Sequence, residues 1–227
     1  MIYRPDVCLS IGGLTFDDAC AIADDKMLTE VRMDLLNFSD KEFCYLFAKG
    51  QNFIASSRKP MNNAKEMVHD LNLAMNCGCK IIDIDINTPE HIRNQLINTM
   101  HSKSGKVILS YHNFESTPDQ PYLQETINKM FDNGADFAKI ACLANSPKDC
   151  ASILSLYAAN NHIIAISMGE IGKITRLAAP ILGAPFTYAS LPLHSTATGQ
   201  LSYKETCEFL NTVFPFTSQT SHSPYDL

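Results

Sequence analysis

The sequence predicts an α/β fold, a (β/α)8 TIM barrel in a single domain, from three observations. Short apolar runs rich in β-branched residues alternate with longer amphipathic runs along the whole chain, which is typical of parallel strands joined by helices. Eight such strand-helix pairs fit into about 215 residues, the spacing of a compact TIM barrel. The chain has 227 residues, of which 45% are hydrophobic, so it can bury one sizeable core.

The elements follow one another in regular order. We place the strands near residues 7–11, 28–33, 52–56, 80–86, 106–112, 136–141, 162–168 and 185–190. Residues 62–76 and 122–133 are typical of outer helices, because their apolar residues recur at intervals of three and four. A glycine stands just before several strands, where a helix can end on a left-handed residue. These glycines are Gly50, Gly78, Gly105, Gly134 and Gly183.

A doubly wound open sheet is the competing fold. It would normally carry a glycine-rich turn after its first strand, and the pair Gly12-Gly13 alone does not make that motif. We expect one domain over residues 1–213. Residues 214–227 are rich in Ser, Thr and Pro and indicate a tail or a linker.

Composition excludes several function classes. The chain has 18 basic and 24 acidic residues, a net charge of −6, and no basic cluster, so nucleic acid is not an expected partner. Arg4, Pro5 and Asp6 interrupt the start where a secretory signal would be apolar, and no apolar run is long enough to cross a membrane. We therefore expect a cytoplasmic protein with no membrane contact.

The eight cysteines are scattered through predicted helices and strands, so we expect reduced thiols rather than a disulfide framework. Cys77 and Cys79 form a CxC without a second pair at zinc spacing, and no HExxH motif occurs. No bound metal is expected.

Polar residues cluster where the predicted strands end. The carboxyl ends of the strands form the active-site face of a TIM barrel, and a charge there is costly unless it is paired or has a function. The residues so placed are Glu30, Arg32, Arg58, Asp83, Asp85, His112 and Lys139.

Lys139 is the only lysine well inside a predicted strand. Strand alternation puts it on one face with Phe137 and Ala141, and burial on that face would lower its pKa and supply an amine able to attack a ketone. The alternative is a lysine whose stem packs in the barrel wall while its ammonium group reaches solvent. The residue alone leaves both interpretations open.

His112 ends strand five, beside the strand of Lys139, and could transfer a proton there. The alternative is an ordinary hydrogen-bonded histidine. Arg32, Arg58 and Arg176 fall at or just beyond strand ends, and three guanidinium groups indicate an anionic substrate such as a carboxylate. Arg32 could instead pair with Glu30 or Asp83. Asp83 and Asp85 share a strand face and could support the lysine, the histidine or an arginine, or form a structural charge network.

Six motifs then occur in one order. E-x-R-x-D occupies residues 30–34, an acidic strand-four run 81–86, and S-x-H-[DN]-F 110–114. K-I-A occupies 139–141, M-[GS]-x-x-G-x-x-[ST]-R 168–176, and G-Q 199–200. Over nearly its whole length the chain resembles the type I 3-dehydroquinate dehydratases.

The resemblance implies a lyase that dehydrates 3-dehydroquinate through a lysine imine in the shikimate pathway, without a cofactor. By resemblance, Lys139 forms the imine and His112 gives and takes the proton. The residues implied to hold the substrate are Ser10, Glu30, Arg32, Arg58, Arg176, Thr196 and Gln200.

The chain departs from the family pattern at three positions. Asn62 stands where an acid is usual, Thr196 replaces a serine and Thr198 a proline. Residues 191–200 follow strand eight, and we expect them to form a mobile lid that substrate binding orders.

Other interpretations remain open at this point. Some relatives are fused to a shikimate dehydrogenase, so the resemblance leaves such a fusion open for this chain, and a homodimer is open as well. The alternatives in function are a class I aldolase, which would use the same lysine, and a non-catalytic binding barrel.

Overall fold

The computed structural model describes residues 6–23, 27–50, 52–60 and 63–214. The strands are β1 (Asp6–Ile11), β2 (Thr29–Arg32), β3 (Phe53–Ser56), β4 (Ile81–Asp85), β5 (Lys106–Asn113), β6 (Phe137–Leu143), β7 (Ile163–Met168) and β8 (Phe186–Ser190). The helices are α1 (Phe16–Ile22), α2 (Asp40–Phe47), α3 (Ala64–Asn76), α4 (Glu90–Ser102), α5 (Gln120–Asp132), α6 (Pro147–Ser155), α7 (Lys173–Ile181) and α8 (Tyr203–Val213).

The strands form one parallel sheet in the order β7-β6-β5-β4-β3-β2-β1-β8. Each strand thus lies beside its sequence neighbour, and the pairing of β1 with β8 curls the sheet into a nearly closed barrel. All eight predicted strands are confirmed within two residues at either end. The chain is a (β/α)8 barrel, and the doubly wound alternative is wrong.

Strand alternation decides what each face of the barrel wall carries. In β4, Ile82 and Ile84 pack in the core between the strands and the helices, while Ile81 belongs to the cluster inside the barrel. Asp83 and Asp85 share the inner face with Ile81 because side chains two apart in a strand point the same way. One strand therefore supplies both the hydrophobic core and the polar lining.

The barrel interior is layered. Its lower part is apolar and includes Ile54, Ile81, Ile108, Phe137 and Phe186. On most strands the next inward position towards the carboxyl end is polar, as in the steps from Ile81 to Asp83 and from Phe137 to Lys139, whereas β7 has the apolar Ile166 there. The charged groups therefore lie next to a closely packed apolar layer, which excludes water from that end of the barrel.

Helix ends follow the predicted glycine pattern at three positions. Gly78, Gly134 and Gly183 have φ angles of 103°, 89° and 113°, a region that costs other residues steric energy. The expectation for Gly105 is wrong, because the left-handed residue there is Ser104, with φ of 57°. Gly105 is instead required by space, since a Cβ would lie 2.9 Å from the Lys80 carbonyl oxygen.

The expectation of reduced thiols is wrong for one pair. Cys44 in α2 and Cys77 at the end of α3 form a disulfide, with Cα atoms 4.9 Å apart. Their separation of 33 residues gives no sign of this link, because the packing of α2 against α3 creates it. Cys8, Cys20, Cys79, Cys142 and Cys150 are thiols.

The described chain ends at Phe214, which packs beside Leu210 of α8. The rest of the predicted tail, residues 215–227, lies outside the described residues. Among the helices described, none is long and apolar enough to cross a bilayer.

We expect Ile140→Ala to lower the free energy of unfolding by about 2–5 kcal/mol, because it leaves a cavity in a closely packed core. Ile140 is 0% exposed between β6 and the helices. Ile174→Ala on α7 is the matched control, since Ile174 is 55% exposed, and its effect should stay within about 0.5 kcal/mol. Urea denaturation measures both. Equal effects would contradict the outward orientation of Ile140.

Candidate active site

A cavity of about 670 Å³ opens at the carboxyl ends of the strands. Nearly every residue predicted for the site lines it: Glu30, Arg32, Arg58, Asp83, Asp85, His112, Lys139, Arg176, Thr196 and Gln200. Ser10 is the exception. It is fully buried and donates a hydrogen bond of 2.5 Å to Glu30 Oε2, so in this structure it supports a lining residue from behind.

Lys139 projects into the barrel from β6 and is only 6% exposed. Its Nζ donates a hydrogen bond of 3.0 Å to Asp83 Oδ2 and lies 3.7 Å from Glu30 Oε1. The alternative in which its ammonium group reaches solvent is therefore wrong. Lys139 thus lies in a buried ion-pair network, in which Asp83 supports the lysine as one of the sequence-based interpretations expected and Glu30 adds a second carboxylate.

Asp83 contacts three polar side chains: Lys139, Arg58 and Ser110. Its Oδ1 accepts a hydrogen bond of 2.5 Å from Ser110 and lies 2.7 Å from Arg58 Nη2. Burial alone would raise the pKa of Asp83, but the charges of Arg58 and Lys139 hold it well below the usual range. Asp83 is therefore ionised in the resting site, where it fixes both cations.

Glu30 is the second carboxylate close to the lysine, 3.7 Å from its Nζ. Burial again opposes its charge, yet Lys139 and Arg32 lower its pKa below the ordinary value. Its carboxylate also accepts hydrogen bonds from Ser10 and Ser56, the latter at 3.2 Å. Two serines from β1 and β3 thus satisfy this buried acid, because β2 runs between those strands.

His112 reaches the cavity from β5, two residues beyond Ser110, which is in register with Lys139. Burial and the charge of Arg58 lower the pKa of His112 to about 4. The Asp85 carboxylate opposes this shift. Its Oδ2 lies 3.6 Å from His112 Nδ1, slightly beyond hydrogen-bond range. His112 is therefore a neutral imidazole at pH 7, placed beside a carboxylate that would stabilise it once protonated.

Arg32 pairs with a residue that the sequence did not suggest. Its Nε and Nη2 bind the two oxygens of Asp34 at 3.0 and 2.8 Å, rather than Glu30 or Asp83. The remaining nitrogen, Nη1, donates to the Thr196 carbonyl at 3.2 Å. Arg32 thus connects the cavity rim to the segment of residues 191–200 predicted as a lid.

The predicted lid covers one side of the cavity. Gln200 Oε1 accepts hydrogen bonds from the backbone N–H groups of Thr196 and Ala197 at 2.8 and 3.1 Å. Thr196 Oγ1 donates to Ser10 at 2.7 Å. These contacts hold the segment against β1 and β2. Its ordering by substrate stays a prediction.

Arg176 differs from the other two arginines. It is 1% exposed, and in the described part of the chain no carboxylate forms an ion pair with it and its Nε has no hydrogen-bond partner. Nη2 donates to the Thr198 carbonyl at 3.4 Å. Burial lowers its pKa to about 10, the mark of a charge without an adequate counter-ion. The site therefore contains one guanidinium available to an anion.

Sequence reasoning missed several lining residues, among them Ile166, Met168 and Tyr188. The same period-two alternation that placed Lys139 inside the barrel also places these three residues there, so the strand pattern in the sequence was sufficient to find them. Asn62, the substituted acid position, lies outside the described residues. The described chain contains no group of three acidic, histidine or cysteine side chains suited to a metal ion.

Comparisons with known proteins identify the family to which the chain is similar. A family model for type I 3-dehydroquinase matches residues 17–216. The 3-dehydroquinate dehydratase of Methanococcus vannielii is 31% identical over 221 residues, covering 91% of this chain and 99% of that protein.

Solved structures agree. The 3-dehydroquinate dehydratase of Aquifex aeolicus is similar at a TM-score of 0.77 and 26% identity, over 93% of this chain and all of that one. The dehydroquinate dehydratase and shikimate dehydrogenase of S. pombe matches at 0.77 and 19% identity, over 94% of this chain and 46% of the longer protein, which supports the fold.

We expect Arg176→Met to keep or raise the free energy of unfolding, because it removes a buried charge that has no anionic partner. The hydroxylated carboxylate quinate should stabilise the wild type, by about 2.7 kcal/mol at 100 times its Kd, and should not stabilise the variant. Urea denaturation with and without quinate measures both effects. A loss of several kcal/mol without ligand would instead make Arg176 a structural residue of the barrel.

Proposed function

We propose a function for this protein on the premise that the chain belongs to the type I 3-dehydroquinase family. The protein is a 3-dehydroquinate dehydratase, a lyase that converts 3-dehydroquinate to 3-dehydroshikimate in the shikimate pathway of aromatic amino acid biosynthesis. One observation carries the assignment to residues: the same cavity is lined by a buried lysine, a neutral histidine and an arginine that has no ion-pair partner among the described residues. Family membership decides against the aldolase and the binding-module alternatives.

Lys139 is the proposed nucleophile. Its amine attacks the ketone carbon of 3-dehydroquinate, and loss of the carbonyl oxygen as water leaves a protonated imine on Nζ. The ammonium group must first give up a proton, and Asp83 Oδ2, its hydrogen-bond acceptor at 3.0 Å, relays that proton to the carbonyl oxygen that leaves as water. Asp83 and Glu30 then remain as counter-ions for the imine cation.

His112 is the proposed base and acid. The imine cation acidifies the neighbouring C–H, whose proton passes to His112, and the resulting enamine expels the hydroxyl while His112 returns a proton to it as water. Water then hydrolyses the product imine, which releases 3-dehydroshikimate and restores the Lys139 amine. A histidine with a pKa of about 4 is neutral and ready at pH 7. The bound substrate carboxylate raises the pKa of this base, since it adds negative charge to the cavity.

We assign substrate binding to the side chains that surround Lys139 and His112 in the cavity. Arg176 takes the substrate carboxylate, because among the three arginines that line the described cavity it is the one without an acidic partner. Arg32, Arg58, Gln200 and Thr196 line the same cavity and supply donors for hydroxyls. Glu30 and Ser10 act together, as their hydrogen bond indicates. These side chains suffice for the chemistry, so no cofactor is assigned.

Location and assembly complete the proposal. We assign the enzyme to the cytoplasm, where this biosynthetic pathway supplies its small soluble substrate. A homodimer stays a prediction. A fusion to shikimate dehydrogenase also stays a prediction, and the S. pombe neighbour shows that this barrel occurs within such a protein.

We expect sodium borohydride with 3-dehydroquinate to inactivate the enzyme irreversibly, with the label on Lys139, because reduction fixes the imine. Lys139→Met should lower kcat by at least about 10⁴-fold, since covalent catalysis is lost. Mass spectrometry locates the label, and the absorbance of the conjugated product gives kcat.

Lys59→Met is the matched control for the labelling experiment. Lys59 also lines the cavity, but it pairs with Glu66 and Asp70 on α3. This variant should label normally. A label on Lys59 in the wild type would overturn the role of Lys139.

The pH profile tests His112. The group must be neutral to accept the proton, so kcat/KM should fall only as pH drops through the pKa of about 4, rather than through the ordinary histidine value of about 6.5. Asp85→Asn removes the carboxylate that raises this pKa, so its limb should lie at lower pH. We also expect kcat to fall by about 10- to 100-fold as the imidazole loses its orienting partner.

Asp40 is the matched control for Asp85, because it also lies beside a histidine. Its carboxylate is 3.3 Å from His69, and both side chains are exposed at the surface. Asp40→Asn should change neither kcat nor the acid limb. A wild-type limb near pH 6.5, or an Asp85→Asn limb displaced to higher pH, would contradict the proposed electrostatics.

A further inference from the structure

Tyr188 is a buried aromatic residue that lines the cavity. It projects inward from β8, in register with Cys8 of β1, and is 2% exposed. The centre of its ring lies 4.0 Å from Lys139 Nζ, with the nitrogen over the ring face. This distance is well inside the range of about 6 Å in which an aromatic ring attracts a cation.

Packing fixes the position of the ring. Phe186 contacts Tyr188 edge to face, with ring centres 5.4 Å apart, and Phe137 in turn contacts Phe186. The Tyr188 hydroxyl has no hydrogen-bond partner within the described residues. The hydroxyl therefore does not anchor this side chain, and the part that meets Lys139 is the ring face.

Three groups surround the lysine nitrogen, and they differ in what they can do. Asp83 and Glu30 attract a cation but can also accept its proton. An aromatic face attracts a cation and offers no site for that proton. Only the protonated imine withdraws electrons strongly enough to acidify the adjacent C–H, so a group that stabilises the charge without removing the proton favours the reactive form.

We propose that Tyr188 is a further catalytic residue, whose ring face stabilises the positive charge on the Lys139 nitrogen in the ammonium group and in the protonated imine. This rests on the proposed imine chemistry of Lys139. The role belongs to the ring, so phenylalanine can replace tyrosine at this position and an aliphatic residue cannot.

The test compares Tyr188→Phe with Tyr188→Leu. The imine is formed beforehand with excess 3-dehydroshikimate, and the rate of its trapping by sodium cyanoborohydride, which reduces protonated imines, is measured against pH. Trapping falls at high pH as the imine loses its proton. In Tyr188→Leu this fall should occur about one pH unit lower than in the wild type, the shift expected from losing one cation–π contact. Tyr188→Phe should keep the wild-type profile.

The outcomes separate this inference from the proposed function. If the wild type is not labelled on Lys139, the imine mechanism itself fails. If the wild type is labelled and the leucine variant has the same pH profile, only the role of Tyr188 fails. A loss of trapping in Tyr188→Phe would also overturn the inference, because the hydroxyl would then be the active part.

A second series guards against a leucine variant that does not fold. Phenylalanine carrying one, two or three ring fluorines at position 188 keeps the shape of the ring while weakening the negative potential of its face. The high-pH fall in trapping should move downward stepwise with each fluorine. Identical profiles across the series, with melting temperatures unchanged, would overturn the proposal.

Discussion

The ion pair between Lys139 and Asp83, 3.0 Å apart inside the barrel, is the interaction on which the rest of the site depends. Removing two charges from water is expensive, and the cost is offset only where the remaining oxygens and protons have partners. Asp83 also holds Arg58 and Ser110, while Glu30 provides a second anion near the lysine. The apolar layer below keeps water out of this network and strengthens every attraction within it.

This network gives the three arginines different tasks. Arg58 is committed to Asp83, and Arg32 to Asp34, so neither is an uncompensated charge. Among the cavity arginines, Arg176 is the buried one for which the described chain provides no ion-pair partner. A substrate carboxylate would pair with it, so binding would offset the electrostatic cost of burying this guanidinium.

The same burial that orders the cations sets the acid-base behaviour. Burial and the charge of Arg58 lower the pKa of His112, while Asp85 opposes them. A low pKa makes the imidazole a weak base and its protonated form a strong acid, which suits the return of a proton to a departing hydroxyl. Proton removal is the harder step for such a group, so it depends on the acidifying charge of the imine.

Sequence alone determined the barrel and most of the site, because both follow from local spacing: period-two alternation placed Asp83, His112 and Lys139 on inward faces at strand ends. Tertiary structure decided which side chains meet. The link of Cys44 to Cys77, the pairing of Arg32 with Asp34 and the contact of Tyr188 with Lys139 join residues by short distances that the spacing pattern did not reveal. Arg176 was recognised as a cation, but its lack of an ion-pair partner among the described residues is a property of its surroundings. Periodicity fixes the direction of a side chain. Which side chains pair depends on distances between atoms, and only the packing of strands and helices in the tertiary structure sets these distances.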